Sequence, residues 1–173
     1  ALSASSPFLE GNPTGAHSQR WVQFPKTPSS VPMFLNHAHY MRWVEEQLEQ
    51  GNMQNERHLW TSVRPNGPER PYVLNRLELR ICDLVGNVDL LLAITALLEL
   101  RIINLKNNLK KYDPLNSSSK TQQELALLAD ENDFLVAKSS LDANLSHWKN
   151  GKQINCRDWI EELLLDVTPL AKE

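Results

Sequence analysis

Cysteine is scarce in this chain: only Cys82 and Cys156 occur among 173 residues, and they lie far apart. Their spacing matches no metal-binding pattern and no secretory signal accompanies them, so they predict a reducing, cytoplasmic setting and no disulfide framework. Long apolar runs are scarce as well. The longest, at residues 90–98, is too short to span a bilayer and is followed by Glu99 and Arg101, so no membrane partner is expected.

An excess of charge of one sign is also missing. The chain has 18 basic and 21 acidic residues, a net charge of −3, and no basic stripe. That balance gives no general attraction to nucleic acid, and we predict no nucleic-acid partner. Apolar residues make up 41% of the chain and charged residues 23%, which is ordinary for globular domains and predicts a packed core.

The first half of the chain predicts irregular segments, one helix and a hairpin. Five prolines break up residues 1–32, so no long helix is expected there. Apolar residues at helical spacing predict a helix over 33–50, which Gly51 ends. Two alternating segments, 58–64 and 72–83, flank a cluster of turn residues and predict the two strands of a hairpin.

The second half of the chain predicts helices. A helix from residue 87 or 89 to about 111 is apolar nearly all round in its first half, a pattern typical of a buried helix. A polar loop is expected at 113–119. Further amphipathic helices are predicted over 120–148 and 157–170, separated by a turn at 150–152. With strands in residues 1–86 and mainly helix in 87–173, the predicted fold class is α+β.

The most informative strand runs through Arg76, Glu78 and Arg80. Because side chains alternate along a strand, these three share one face, and the apolar residues at 77, 79 and 81 take the other. A carboxylate between guanidinium groups suits binding of phosphate, carboxylate and a divalent cation. It also suits a solvated sheet face with cross-strand ion pairs. If the hairpin pairs as predicted, Arg64 adds a third arginine beside Glu78, which favours a binding site.

Other possible sites are less specific. His37 and His39 resemble a metal-binding pair, but residues two apart on a helix do not share a face, which favours an ordinary helix start. The sequence contains no nucleophile motif, no glycine-rich phosphate loop and no dinucleotide fingerprint.

Four segments taken in order carry a resemblance to a known family: residues 1–8, residues 14–20, residues 58–65 and residues 76–83. They resemble the bacterial glutamate–cysteine ligase and carboxylate–amine ligase family, and residues near 140 and 157 are similar to its cyanobacterial-type members. The Arg-x-Glu-x-Arg strand is similar to one in glutamine synthetase, whose catalytic fold the family shares. The resemblance implies that residues 1–173 are the C-terminal portion of a single glutamine-synthetase-like catalytic domain, with antiparallel strands followed by a helical half.

The resemblance also implies a reaction. The family's glutamate–cysteine ligases use ATP and Mg²⁺ to phosphorylate the γ-carboxylate of glutamate, and the cysteine amine then attacks to form γ-glutamylcysteine for glutathione biosynthesis. By analogy, Glu78 would bind a Mg²⁺, and Arg76 would face the phosphates of ATP. Arg64 and Arg80 would be the catalytic cations, on the transferring phosphoryl group and on the glutamate carboxylate. Such transfer depends mainly on positioning and charge neutralisation.

Arg20 and Ser6, together with Arg80, would line the substrate pocket by the same analogy. The family's N-terminal half, which carries the other metal-binding carboxylates, is absent from this chain, and the chain opens on Ala1 as if from the inside of a protein. One glutamate cannot supply the six oxygen ligands that Mg²⁺ normally takes. We therefore expect the missing N-terminal half as a partner and a fragment that is inactive alone.

Two other functions remain open from the sequence. One is a related carboxylate–amine ligase with a different amine acceptor. The other is a non-catalytic helical interaction module, in which the Arg–Glu–Arg row forms a structural ladder of ion pairs. The ligase hypotheses predict that the charged row converges in a concave pocket, and the module predicts a flat solvated sheet.

Overall fold

The computed structural model describes residues 8–9, 12–13, 28, 30–56, 63–65, 77–79 and 85–172. Within these ranges the architecture is α+β, as the sequence predicts: short antiparallel strand pairs and a mainly helical C-terminal half. No helix of the described ranges is long and apolar enough to cross a membrane.

The strands form three separate two-stranded antiparallel ladders. The pairs are β1 (Phe8–Leu9) with β2 (Asn12–Pro13), β3 (Val63–Pro65) with β4 (Leu77–Leu79), and β5 (Asn144–Ser146) with β6 (Gln153–Asn155). The predicted hairpin of segments 58–64 and 72–83 is confirmed where the structure describes it, since β3 pairs with β4. The rest of those two segments lies outside the described residues.

The helices follow in chain order. They are α1 (His37–Glu49), α2 (Val88–Asn107), α3 (Leu109–Tyr112), α4 (Pro114–Ser117), α5 (Gln122–Ser139) and α6 (Cys156–Val167). Short 3₁₀ turns at Ser140–Asp142 and Leu170–Lys172 complete the C-terminal half. The helix predicted over 33–50 is confirmed as α1, but it begins at His37, four residues later than predicted, because the Asn36 side chain caps it there. It ends just before Gly51, which takes a positive φ of 71°.

Local hydrogen bonds explain where the helices begin. The side chain of Asn87 accepts a 2.9 Å hydrogen bond from the Leu90 amide, and this cap starts α2 at the predicted place. The prediction of a polar loop at 113–119 is wrong in part, because α4 occupies Pro114–Ser117. The Asp113 carboxylate accepts from the Leu115 amide at 3.0 Å, and proline at the first helical position has no amide to leave unpaired.

The helix predicted up to residue 148 ends early, and this too is a correction. After α5 the chain forms the β5–β6 hairpin, closed by a 2.8 Å bond from the His147 amide to the Lys152 carbonyl. The turn predicted at 150–152 is therefore confirmed, but Trp148 lies in this turn and not in a helix. Gly151, at φ 71°, provides the left-handed backbone that the turn needs.

Two buried clusters hold the described residues together. The first joins α1 to the segments around it through Tyr40, Met41, Val44 and Met53. Aromatic edges reinforce it, with the Phe34 ring centroid 5.2 Å from Tyr40. The second lies between α5, the β5–β6 hairpin and α6, and its buried members are Val136, Ala143, Leu145 and Cys156.

The prediction that the first half of α2 is buried is wrong. One side, with Ile94, Leu98 and Leu105, is half-buried, and α2 packs against α6. Six large apolar residues of α2 are exposed: Leu90 lies on this first side, and the other side carries Val88, Leu91, Leu92, Ile102 and Ile103. We call these five the outer stripe of α2. Apolar residues all round the helix predict partners on every side, and the described part of the chain supplies a partner on one side only.

Candidate functional site

The site proposed from sequence is centred on the β3–β4 hairpin. In its register Arg64 is the residue directly opposite Glu78, with Val63 opposite Leu79 and Pro65 opposite Leu77. The pairing of these two strands agrees with the hairpin predicted from sequence, and the structure adds its register. The hairpin therefore brings one predicted cation position to the predicted metal-binding carboxylate.

Glu78 is partly buried, and its two neighbours on β4 are exposed. Leu77 is 57% exposed and Leu79 is 44% exposed. The predicted alternation is confirmed, but the apolar face is the more open of the two. An antiparallel sheet normally packs its apolar face against a core, so β4 has the exposure pattern of a strand whose covering layer is not among the described residues.

Four other residues predicted for the site lie outside the described residues, namely Ser6, Arg20, Arg76 and Arg80. Their convergence on Glu78 stays a prediction. His39 is engaged locally, since its Nδ1 accepts from the Leu35 amide at 3.2 Å. In the described ranges no group of three or more His, Cys, Asp or Glu side chains is arranged to hold a metal ion.

The fit to Mg²⁺ can be judged from the chemistry of Glu78. A carboxylate oxygen is the hard ligand that Mg²⁺ prefers, so the residue fits in kind. It does not fit in number, because the ion takes six ligands and Glu78 supplies at most two. Further ligands must come from other residues or from the nucleotide phosphates.

Sequence reasoning missed the most densely hydrogen-bonded cluster of the described residues, which is centred on Asp166 of α6. Its carboxylate forms a 2.6 Å ion pair with Arg101 and a 3.3 Å ion pair with Lys111. The Tyr112 hydroxyl donates to the same carboxylate at 2.6 Å, and Asn104 Nδ2 donates at 3.0 Å. The cluster ties α2 and α3 to α6.

The charges of this cluster stabilise one another. Burial alone would raise the pKa of Asp166, but hydrogen bonds from Tyr112 and Lys111 and the charge of Lys111 outweigh it, and the pKa is lowered. The pKa of Lys111 is raised, chiefly by its hydrogen bond to Tyr112 and then by that to Asp166. Arg101 also lies over the Tyr112 ring, 4.5 Å from its centroid. The arrangement is that of a clamp between helices.

A cavity of about 150 Å³ adjoins the clamp and is walled in part by His147, Lys149 and Trp159. Burial lowers the pKa of His147, nearby Glu162 opposes that shift and Lys149 adds to it. A larger cavity of about 750 Å³ lies between α1, α5 and the segment at 28–32.

The sequence carries little indication of the clamp around Asp166. The helical spacing of the α2 residues predicts that they share a face, but it does not identify Asp166 as their partner.

Comparison with known proteins relates this chain to a single enzyme family. The sequence pattern of the glutamate-cysteine ligase family 2 (GCS2) matches residues 1–173. A Sorangium cellulosum protein provisionally named glutamate–cysteine ligase 2 is 30% identical over 99% of this chain and 44% of its own length. Proteins with the same provisional name from Rhodospirillum rubrum and Chloroflexus aggregans are 29% and 27% identical, over 99% and 95% of this chain and 42% and 40% of their own lengths.

The chain thus spans less than half the length of these curated relatives. No solved structure matches it. Because the family pattern covers every residue of the sequence, the chain belongs to glutamate-cysteine ligase family 2.

Proposed function

We propose that this chain is part of a cytoplasmic, ATP-dependent ligase that joins glutamate to cysteine for glutathione biosynthesis. The observation that carries the proposal is the β3–β4 register, in which Arg64 is the residue opposite Glu78. Residues directly opposite each other in an antiparallel pair belong to the same sheet face. An arginine and a glutamate at facing positions of a strand pair are two of the residue types that a phosphoryl-transfer site needs. Membership of the ligase family makes this the best-supported chemistry for that pair.

The proposed reaction forms γ-glutamyl phosphate and then the amide. Glutamate's γ-carboxylate attacks the terminal phosphorus of ATP and ADP leaves. The neutral cysteine amine then attacks the acyl carbon, phosphate leaves and the nitrogen gives up a proton. The first step brings two anions together and the second releases an anion, so cations held in position lower both barriers. In this proposal Arg64 neutralises the transferring phosphoryl group and Glu78 holds a Mg²⁺, whose charge would polarise the nucleotide phosphates.

The remaining assignments follow the same chemistry. Arg76 would contact the nucleotide phosphates and Arg80 the glutamate carboxylate, because guanidinium groups bind both kinds of anion through paired hydrogen bonds. Arg20 and Ser6 would complete the substrate pocket. The other metal ligands would come from the part of the protein that the relatives possess beyond the length matched here. The chain alone is therefore expected to be inactive.

The first test is ADP release by the protein produced at the full length of its relatives, with ATP, Mg²⁺ and glutamate, with and without cysteine. Glu78→Gln should lower the cysteine-dependent rate by about a hundredfold or more, because the amide keeps the side chain's shape and removes the charge that binds the cation. The matched control is Glu161→Gln on α6, an exposed glutamate that should leave the rate unchanged.

A rise in the Mg²⁺ concentration needed for half-maximal rate in Glu78→Gln would assign the loss to metal binding. Turnover with another amine but not with cysteine would make the protein a carboxylate–amine ligase of different specificity. A folded full-length protein that releases no ADP with any amine would refute the enzyme proposal and favour the non-catalytic module.

A further inference from the structure

We propose that the outer stripe of α2 is an internal docking surface, covered by the part of the ligase domain that lies outside this chain. The inference rests on the larger domain proposed above and not on its reaction. It concerns a surface of α2, whereas the proposed reaction concerns the hairpin.

The geometry of α2 separates two faces. Half-buried residues at 94, 98, 101 and 105 recur every three or four positions, which is the spacing of one helix face. The exposed apolar residues at 88, 91, 92, 102 and 103 lie on another face, and the first turn and a half, residues 88–93, is exposed all round. The first face lies against α6, and the second has its large apolar residues at the two ends of α2, with Thr95 and Glu99 between them.

Exposure of this extent is unusual for a finished surface. Leu92 is 62% exposed and Val88 is 68% exposed. Soluble proteins rarely leave so many large apolar side chains of one helix open unless another surface covers them. Leu77 and Leu79 on β4 show the same exposure of an apolar face.

A second copy of the chain is a poor occupant because of Glu99. This exposed carboxylate lies within the outer stripe, and no cation of the described ranges pairs with it. In a parallel twofold contact Glu99 would face its own copy, and in an antiparallel contact it would face the middle of the partner's stripe, which has no cation. Burying a carboxylate without a partner is costly.

The part of the ligase domain that lies outside this chain is a better occupant of the outer stripe than a second copy is. The relatives extend over more than twice the matched length, so they contain enough chain to cover one helix face. The expected surface is apolar and carries one basic residue opposite Glu99. Such a surface would complete the core of the domain around α2, in agreement with the helix's apolar residues on every side.

The test measures thiol reactivity in the full-length protein. Leu92→Cys probes the outer stripe, Thr95→Cys probes the same face with a nearly isosteric change that protects folding, and Leu127→Cys on α5 is the control. Leu127 is 69% exposed, close to the value for Leu92. Maleimide labelling followed by peptide mapping separates each new thiol from native Cys82 and Cys156.

We expect both α2 thiols to react at least about tenfold more slowly than the Leu127→Cys thiol, since a covered site reacts only when it opens. The difference should be independent of protein concentration. Equal rates at the three positions would overturn the proposal. Protection that disappears on dilution, as a dimer dissociates, would also overturn it and identify a second copy as the occupant. Slow labelling in a protein without ligase activity would refute the proposed reaction alone.

Discussion

At the scale of single residues, Asp166 matters most for the described part of the chain. It forms hydrogen bonds or ion pairs with Arg101 of α2 and with Lys111 and Tyr112 of α3, although it lies more than fifty residues from each of them in sequence. No periodicity on α6 distinguishes it from neighbouring acidic residues. Partners so distant along the chain are set by tertiary packing, so this clamp could not be predicted from sequence.

Asp166→Asn should lower the free energy of unfolding at pH 7 by about 1–2 kcal/mol, the lower part of the range for charged hydrogen bonds, because the side chain remains 27% exposed. The pKa of Asp166 is lowered by folding, so its contribution is present above the ordinary value of 3.8 and is lost as the pH falls below it. Urea unfolding from pH 7 to pH 2 should show the variant and the native protein converging in acid.

The matched control for this prediction is Asp142→Asn. Asp142 pairs with Arg157 at 3.0 Å, but both side chains are largely exposed. Its substitution should change stability by much less than that of Asp166 at every pH. Equal losses in the two variants would contradict a special role for the clamp.

At the scale of secondary structure, the sequence predicted the helices and strands that have a clear apolar repeat, a cap or an alternating pattern, and it missed those that have none of these. α1 was found from its apolar repeat and from Gly51, without its Asn36 cap, and the start of α2 was found because Asn87 precedes an apolar segment. The β5–β6 hairpin was missed because each strand has three residues, too few for alternation to be recognised. The exposure of α2 was also missed, since periodicity can show that a helix is apolar but not which of its sides the chain covers.

For the candidate site, too, the sequence predicted the local features but not how distant residues assemble around Glu78. The alternation around Glu78 and the pairing of the two strands follow from local patterns and are confirmed in the described segments. The assembly of distant residues such as Ser6 and Arg20 around it depends on the path of the chain, which no local pattern fixes. Those roles came from the family resemblance and stay predictions.

The N-terminus of α5 offers a test of how much one helix cap contributes to stability. Thr121 and Glu124 form a reciprocal capping box, in which the Thr121 amide donates to the Glu124 carboxylate at 2.7 Å. Thr121→Ala should cost about 1 kcal/mol of unfolding free energy, measured by urea unfolding. The Thr121 amide and then its hydroxyl lower the pKa of Glu124, and alanine removes only the hydroxyl. The part of the effect that comes from the hydroxyl–carboxylate bond should therefore shrink as the pH falls below the ordinary value of 4.5.

Ser139→Ala is the control for the capping box. Ser139 precedes a 3₁₀ turn and its side chain makes no capping hydrogen bond. The change should leave stability nearly unaltered. A loss equal to that of Thr121→Ala would mean that the hydroxyl of the capping box contributes nothing specific.

At the scale of the whole molecule, the described residues have two separate buried clusters, one around α1 and one around the β5–β6 hairpin. Neither cluster includes α2, which is the longest helix described. Among the described residues the outer stripe of α2 is therefore left without a covering layer, as the proposed docking surface requires.

Two core variants should separate these clusters. Leu145→Ala should lower the free energy of unfolding by about 2–5 kcal/mol, because it leaves a cavity in a packed site. Hydrogen exchange should accelerate in α5 and α6 and remain unchanged in α1. Val44→Ala should produce the reverse pattern, and Leu165→Ala, at an exposed position of α6, should change neither. Uniform acceleration by either core variant would indicate one cooperative core.

The two glycines with positive φ, Gly51 and Gly151, have a consequence for how the sequence can vary. Both have a φ of 71°, so any replacement with a side chain meets the same backbone penalty. At Gly51 the space around the missing Cβ is open, and asparagine, which tolerates this conformation, is an acceptable alternative. At Gly151 a Cβ would lie 2.7 Å from Lys120 Cε, and any substitution there must also move the lysine chain. Of two glycines with the same φ, one can be replaced by asparagine in open space, and replacement of the other also requires the flexible end of a lysine 31 positions away to move.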